Sequence, residues 1–174
     1  MLYSFIRNIK SKIQDMKTIS KLCLGAEKYA NEYGEEKPGA EHFMLASLDL
    51  QDGSARRVFE RLEINPDAIN QAIKDQHSNA LASIGIVDET IKLDVKSAVT
   101  LKPNMKLYDT KPSGKTVMQK IYQNNKARNT RLIGAHVIEV ILSMEYGIAV
   151  RALQTMGIDL VALKKTVKAE CNNI

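Results

Sequence analysis

The second half of this chain repeats its first at an offset of about 94 residues, and that duplication limits the fold more than any other feature. Positions 136–168 lie beneath positions 42–74 without a gap. His42 falls on His136, Leu48 on Leu142, Gly53 on Gly147 and Ala55 on Ala149. The register continues with Arg57 on Arg151, Ile64 on Ile158, Ala68 on Ala162 and Lys74 on Lys168. About 8 of about 33 positions are identical, where unrelated sequence gives about 2. Most mismatches exchange one apolar residue for another. A duplicated helical unit of this kind is usually a scaffold that presents surface, so the pattern points to binding ahead of chemistry.

Each repeat reads as four short helices. In the first, Ile19, Leu22, Cys23, Ala26 and Ala30 stand at helical spacing, and Gly34 is placed to stop the helix. A second helix is expected from about Glu41 to Leu50, broken by Asp52-Gly53, and Ala55, Val58, Phe59 and Leu62 form the stripe of a third. The fourth opens with Asn65 as N-cap and Pro66 at the first helical position. Ile64 and Ile69 stand at the spacing of a hydrophobic staple. The second repeat carries the same punctuation: Val117, Met118 and Ile121, then Val137 to Leu142, the break at Gly147, and a stripe from Ala149 to Met156. Gly157 ends that stripe, and Asp159 caps the last helix.

The expected organisation is therefore an amphipathic helix over residues 1–18, a repeat over 19–76, a linker over 77–114 and a second repeat over 115–171. Leu2, Phe5, Ile6, Ile9, Ile13 and Met16 share a face of the first segment, which should dock on the body by that apolar side. The linker holds an apolar patch from Leu81 to Val87 and room for a short helix near Glu89–Val95.

Composition narrows the function. A chain of 174 residues with 44% hydrophobic and 26% charged residues suits one domain or two tightly packed halves. Trp is absent and aromatics make up 5%, a poor supply of base-stacking surface. The net charge of +5 is uneven: about +4 over residues 1–21, about −5 over 22–76 and about +6 over the rest. One acidic and one basic repeat do not form the continuous basic face of a nucleic-acid binder. No apolar stretch approaches the roughly 18–20 residues of a membrane span, and the start lacks the order of a secretory signal. Cys23 and Cys171 stand far apart without a CxxC pair or clustered histidines, so a reduced, cytoplasmic setting without structural zinc is expected.

The string Gly34-Glu-Glu-Lys-Pro-Gly-Ala-Glu-His-Phe-Met-Leu-Ala-Ser-Leu resembles the Clp repeat at the N-terminus of the Clp AAA+ chaperone family. Ala26, Ala30, Gly34, Gly39, Glu41, His42 and Leu48 match that pattern without a gap. In the second repeat Gly134, His136, Leu142, Gly147 and Gly157-Ile158-Asp159 match it. The resemblance spans roughly residues 19–171. It implies an all-α double Clp repeat of two pseudo-symmetric four-helix units, which captures protein or peptide substrates or adaptors for a Clp ATPase or protease. Ala40 and Pro38 depart from the common Thr and Ile, and Ala135 replaces the second Glu. Ile121 and Asn125 answer to Ala26 and Ala30 after a slip of one residue. Some relatives hold phosphorylated arginine with the Glu of each repeat and a nearby Thr; the resemblance carries that role to Glu41 alone.

Ser113-Gly114-Lys115-Thr116 suggests a P-loop, but the Gly required five residues before the Gly-Lys-Thr is Asp109. His42 and His136 occupy equivalent helix starts, where an imidazole usually bonds neighbouring backbone. Cys23 sits on an apolar stripe as a small core residue. Arg57 and Arg151 recur on the polar side of the third helix, facing solvent or a partner. Glu41 suits a helix N-terminus and has the family's reason to contact a partner. The expectation is a non-enzymatic protein-binding chain without catalytic residues, cofactor or metal, with Glu41, Arg57 and Arg151 as partner-binding residues. It is either free-standing or the N-terminal part of a longer unfoldase. The alternative is a membrane-associated regulator anchored by residues 1–17.

Overall fold

Among the described residues the apolar stripes and glycine breaks become eight helices in two runs of four. The structure, a computed structural model, describes residues 2–83, 109–128 and 130–173. The first run is α1 (Leu2–Glu32), α2 (Ala40–Leu48), α3 (Ser54–Glu60) and α4 (Pro66–Ser83). The second is α5 (Pro112–Arg128), α6 (Gly134–Leu142), α7 (Ile148–Thr155) and α8 (Leu160–Asn172). Among the described residues the chain is all-helical, without strands. The segment expected over 1–18 runs unbroken into the helix expected from Ile19, because no Gly, Pro or cap interrupts residues 2–24. The helix expected near Glu89–Val95 lies outside the described residues, as does most of the Leu81–Val87 patch.

Stops and caps follow local chemistry. Gly34 (φ 71°) and Gly157 (φ 74°) end α1 and α7 in the left-handed region that disfavours a Cβ. Asn65 Oδ1 accepts the Asp67 N–H at 3.0 Å, and Asp159 Oδ1 accepts those of Val161 and Ala162 at 2.8 and 3.2 Å. The duplicated breaks differ in backbone. Gly53 is left-handed at φ 63°, whereas Gly147 is extended at φ −83° as the N-cap of α7.

The two runs interlock. α2 packs on α6 at the centre, α3 packs on α8, and α4 packs on α7. Every residue of α2 and eight of the nine in α6 are buried, as their nearly continuous apolar sequences require. Phe43, Met44 and Phe59 of one run join Val137, Ile138 and Leu153 of the other in one core.

Polar side chains cross between the runs as well. Asp52 accepts the Gly134 N–H and Ser54 Oγ accepts the Ala135 N–H at 2.9 Å, so the start of α3 caps α6. The buried Glu170 of α8 receives Arg57 Nε at 2.9 Å, with Arg61 Nη2 2.8 Å from its other oxygen. Asp15 of α1 accepts the Leu132 N–H at 2.8 Å and Asn125 Nδ2 at 3.0 Å. That last contact bears on the expected docking of the N-terminal segment at Ile13 and Met16 alone, since the side chains of Leu2, Phe5, Ile6 and Ile9 lie outside those the structure describes. Ile13 is 49% and Met16 70% exposed, so at this level α1 meets the body through Asp15 and the buried Thr18, and turns apolar residues to solvent.

Candidate functional site

Among the described residues a dense group of ionisable side chains surrounds the start of α2. The Gly39 N–H donates to His42 Nδ1 at 2.9 Å, satisfying one of the donors a helix N-terminus leaves open. Glu41, beside it, is only 3% exposed, with Oε1 3.7 Å from Lys111 Nζ. Lys111 precedes α5 and places its ammonium 2.5 Å from Glu35 Oε2, while its backbone N–H donates to the Pro38 carbonyl at 2.9 Å. His42 Nε2 lies 3.5 Å and His77 Nδ1 of α4 3.6 Å from the Glu35 carboxylate. Tyr33 completes the group, its ring centre 5.3 Å from that of His42 and 5.6 Å from that of His77. The end of α1, the start of α2, α4 and the approach to α5 thus meet at one polar cluster.

Glu41, His42 and His77 each bring a possible metal-ligand atom within 4.8 Å of the others. The hydrogen bonding does not suit a metal. A neutral imidazole that accepts at Nδ1 carries its proton on Nε2, leaving no lone pair there for a cation. Burial pushes the His42 imidazolium down to a pKa of about 3, helped by the Lys111 and His77 charges, so the ring is neutral at ordinary pH. Lys111 supplies the positive charge among Glu35 and Glu41. The cluster behaves as a clasp holding residues 33–42 to the segment that leads into α5.

The second run repeats only part of this arrangement. His136 Nδ1 accepts the Ile133 N–H at 3.3 Å, as the shared helix start predicts. Ala135 stands at the Glu41 position, and its N–H is bonded to Ser54 instead. Ser113 and Gly114 sit in the first turn of α5, with Ser113 Oγ accepting the Ala40 N–H at 3.2 Å. The would-be phosphate loop is a helix start docked on α2.

The three expected contact residues therefore lie in three settings. Glu41 is inside, Arg57 is half exposed with its guanidinium on Glu170 and the Asp52 carbonyl, and Arg151 is exposed. Sequence reasoning missed Glu35, His77, Lys111 and Glu170. Glu170 had a signal: it continues the buried Leu163, Val167 stripe at i+7, where an acid requires a partner. Lys111 and His77 had none, because their neighbours are remote in sequence.

A second feature lies in the other run. A cavity of about 300 Å³ opens between α5, α6 and α8, with Asn124, Val140, Ser143 and Lys164 among its lining.

No curated protein matches the chain. Residues 18–93 match the model of the Clp repeat (R) N-terminal domain, a stretch that takes in the C-terminal half of α1 and all of α2, α3 and α4. Domains of this family bind protein substrates or adaptors of Clp ATPases and are not catalytic by themselves. The helical order, the glycine stops and the histidine-capped start of α2 agree with that match, and residues 18–93 are similar to a Clp repeat N-terminal domain.

Proposed function

We infer that this chain is a non-catalytic docking module that binds protein or peptide substrates, or adaptors, on behalf of a Clp ATPase or protease in the cytoplasm. The observation that carries the reading is the family match over residues 18–93. The use of the polar residues supports it. His42, Glu35 and Lys111 hold elements together, and Asp52, Ser54 and Glu170 join the two runs. Arg151 and the exposed face of α7 remain a surface for protein contact.

Immobilised protein should retain purified Clp ATPase subunits or a permanently unfolded casein, and Mg-ATP should give no heat beyond dilution in titration calorimetry. Micromolar ATP binding, or failure to retain either protein class, would overturn the reading. The exposed Ile13 and Met16 favour a second reading, in which α1 rests on a membrane surface. Among the described residues no helix is long and apolar enough to cross a membrane. Removal of residues 1–12, which spares Asp15, should leave protein retention intact. Sedimentation of the full chain with anionic vesicles at physiological salt would favour the surface helix instead.

A further inference from the structure

Duplication makes each run a reference for the other. α2 and α4 lie on α6 and α8 at the offset of about 94, and α1 lies on α5 after the slip of one residue. That register pairs Leu22 with Val117 and Ala26 with Ile121, all four buried. It also pairs Tyr29 with Asn124. In the first run the Tyr29 ring packs against the core, and its hydroxyl donates to Asp49 Oδ2 at 2.7 Å, closing the gap between α1 and the end of α2. In the second run the shorter Asn124 stands there, with Ser143 in place of Asp49 and Lys164 in place of Asn70. The cavity of about 300 Å³ opens at this point. Its volume is at the lower end for ligand pockets.

We propose that this groove receives an aromatic side chain, a tyrosine by preference, from an acidic peptide of a partner protein. Its floor is apolar: Val140 and Val167 are almost wholly buried and answer in the repeat register to Ala46 and Ile73, core residues of the first run. Its rim is basic. Lys164 and Lys168 are exposed, and Lys120 Nζ donates to Ser143 Oγ at 2.8 Å. Glu139 is the acid on the lining, which also holds Lys164 and Lys168. The first run also shows how a lysine at this register treats a ring: Lys74, the counterpart of Lys168, holds its ammonium 5.6 Å from the centre of Tyr33. An entering ring meets apolar floor, cationic rim and a hydroxyl at Ser143, while carboxylates on either side of it face Lys164 and Lys168.

The proposal rests on the reading of the chain as a protein-binding module, and the test separates the two. A fluorescein-labelled peptide with one tyrosine between pairs of glutamates is titrated with the full chain in polarisation measurements at physiological salt. Saturable binding is expected, weakened at least about tenfold when the peptide's tyrosine becomes alanine. Asn124→Tyr, which supplies the ring the first run already has, should weaken it at least as much. The surface variant Lys164→Glu with Lys168→Glu should do the same with an unchanged helical melt, so the test survives if Asn124→Tyr fails to fold. Equal binding by the alanine peptide, or undiminished binding to the filled-groove or charge-reversed protein, overturns the proposal. Absence of saturation below about 1 mM also overturns it. If casein or Clp ATPase retention persists in that case, only the groove is lost; if retention is absent too, the underlying reading falls with it.

Discussion

His42 is neutral because burial and the nearby Lys111 and His77 oppose a second proton, and that has a consequence for stability. Its pKa in the folded protein, about 3, lies below the ordinary value of 6.5. The unfolded chain therefore takes up a proton between those values that the folded chain refuses. Stability from this residue is complete above about pH 6.5 and is lost as the pH falls toward 3. Glu35, Glu41, Lys111, His77 and Tyr33 face the ring, so the readout is best confined to the part of that range nearest neutrality. The clean window is thus about pH 6.5 to 5, where one refused proton contributes a slope of up to about 1.4 kcal/mol per pH unit. Urea unfolding across that window should show the slope, and His42→Gln, which keeps an acceptor for the Gly39 N–H, should reduce it. An identical slope in the variant would show that His42 does not carry it. The histidine's role was legible in the sequence from its place at a duplicated helix start. Its charge partners were not, since Lys111 is brought to Glu35 by tertiary folding across 76 positions.

Among the helices, duplication fixed which segments would match without fixing how closely they approach. The glycine stops, the Asn65 and Asp159 caps and the core stripes could be read from spacing because each depends on residues within a few positions. The close approach of α6 to the start of α3 could not. A Cβ on Gly134 would lie 2.9 Å from the Ser47 carbonyl oxygen and 3.0 Å from the Ala55 Cβ, although its register partner is Ala40. Gly147, by contrast, has an ordinary φ of −83° and its nearest such neighbour at 3.9 Å. Gly134→Ala should therefore cost about 1–3 kcal/mol in urea unfolding, as overpacking does, and Gly147→Ala less than about 0.5 kcal/mol. A neutral Gly134→Ala would mean that α2, α3 and α6 can separate without loss. The same dependence on tertiary approach explains the N-terminal segment. Its amphipathic pattern predicted apolar docking, but at the described positions Ile13 and Met16 the side chains face outward, and Asp15 bonds the Leu132 N–H.

At the scale of the molecule, neither run is complete without the other. The start of α6 takes its capping acceptors from Asp52 and Ser54, Glu170 of α8 takes its cations from Arg57 and Arg61, and α7 packs on α4. A fragment of residues 109–174 would expose Val137, Leu153 and the α6 N-terminus to water and leave Glu170 without those two arginines. It would also keep only about 66 residues, a length at which a single core is marginal. The fragment should show little helical circular dichroism by itself. Residues 1–83 added in equimolar amount should restore a cooperative melt, because they bring α2, α3 and α4 back as one surface. Full helicity of the isolated fragment would make the second run an independent domain and the crossing contacts secondary. Recovery only in the mixture would identify the folding unit as the interlocked pair, with each half of the duplication supplying the other's caps and counterions.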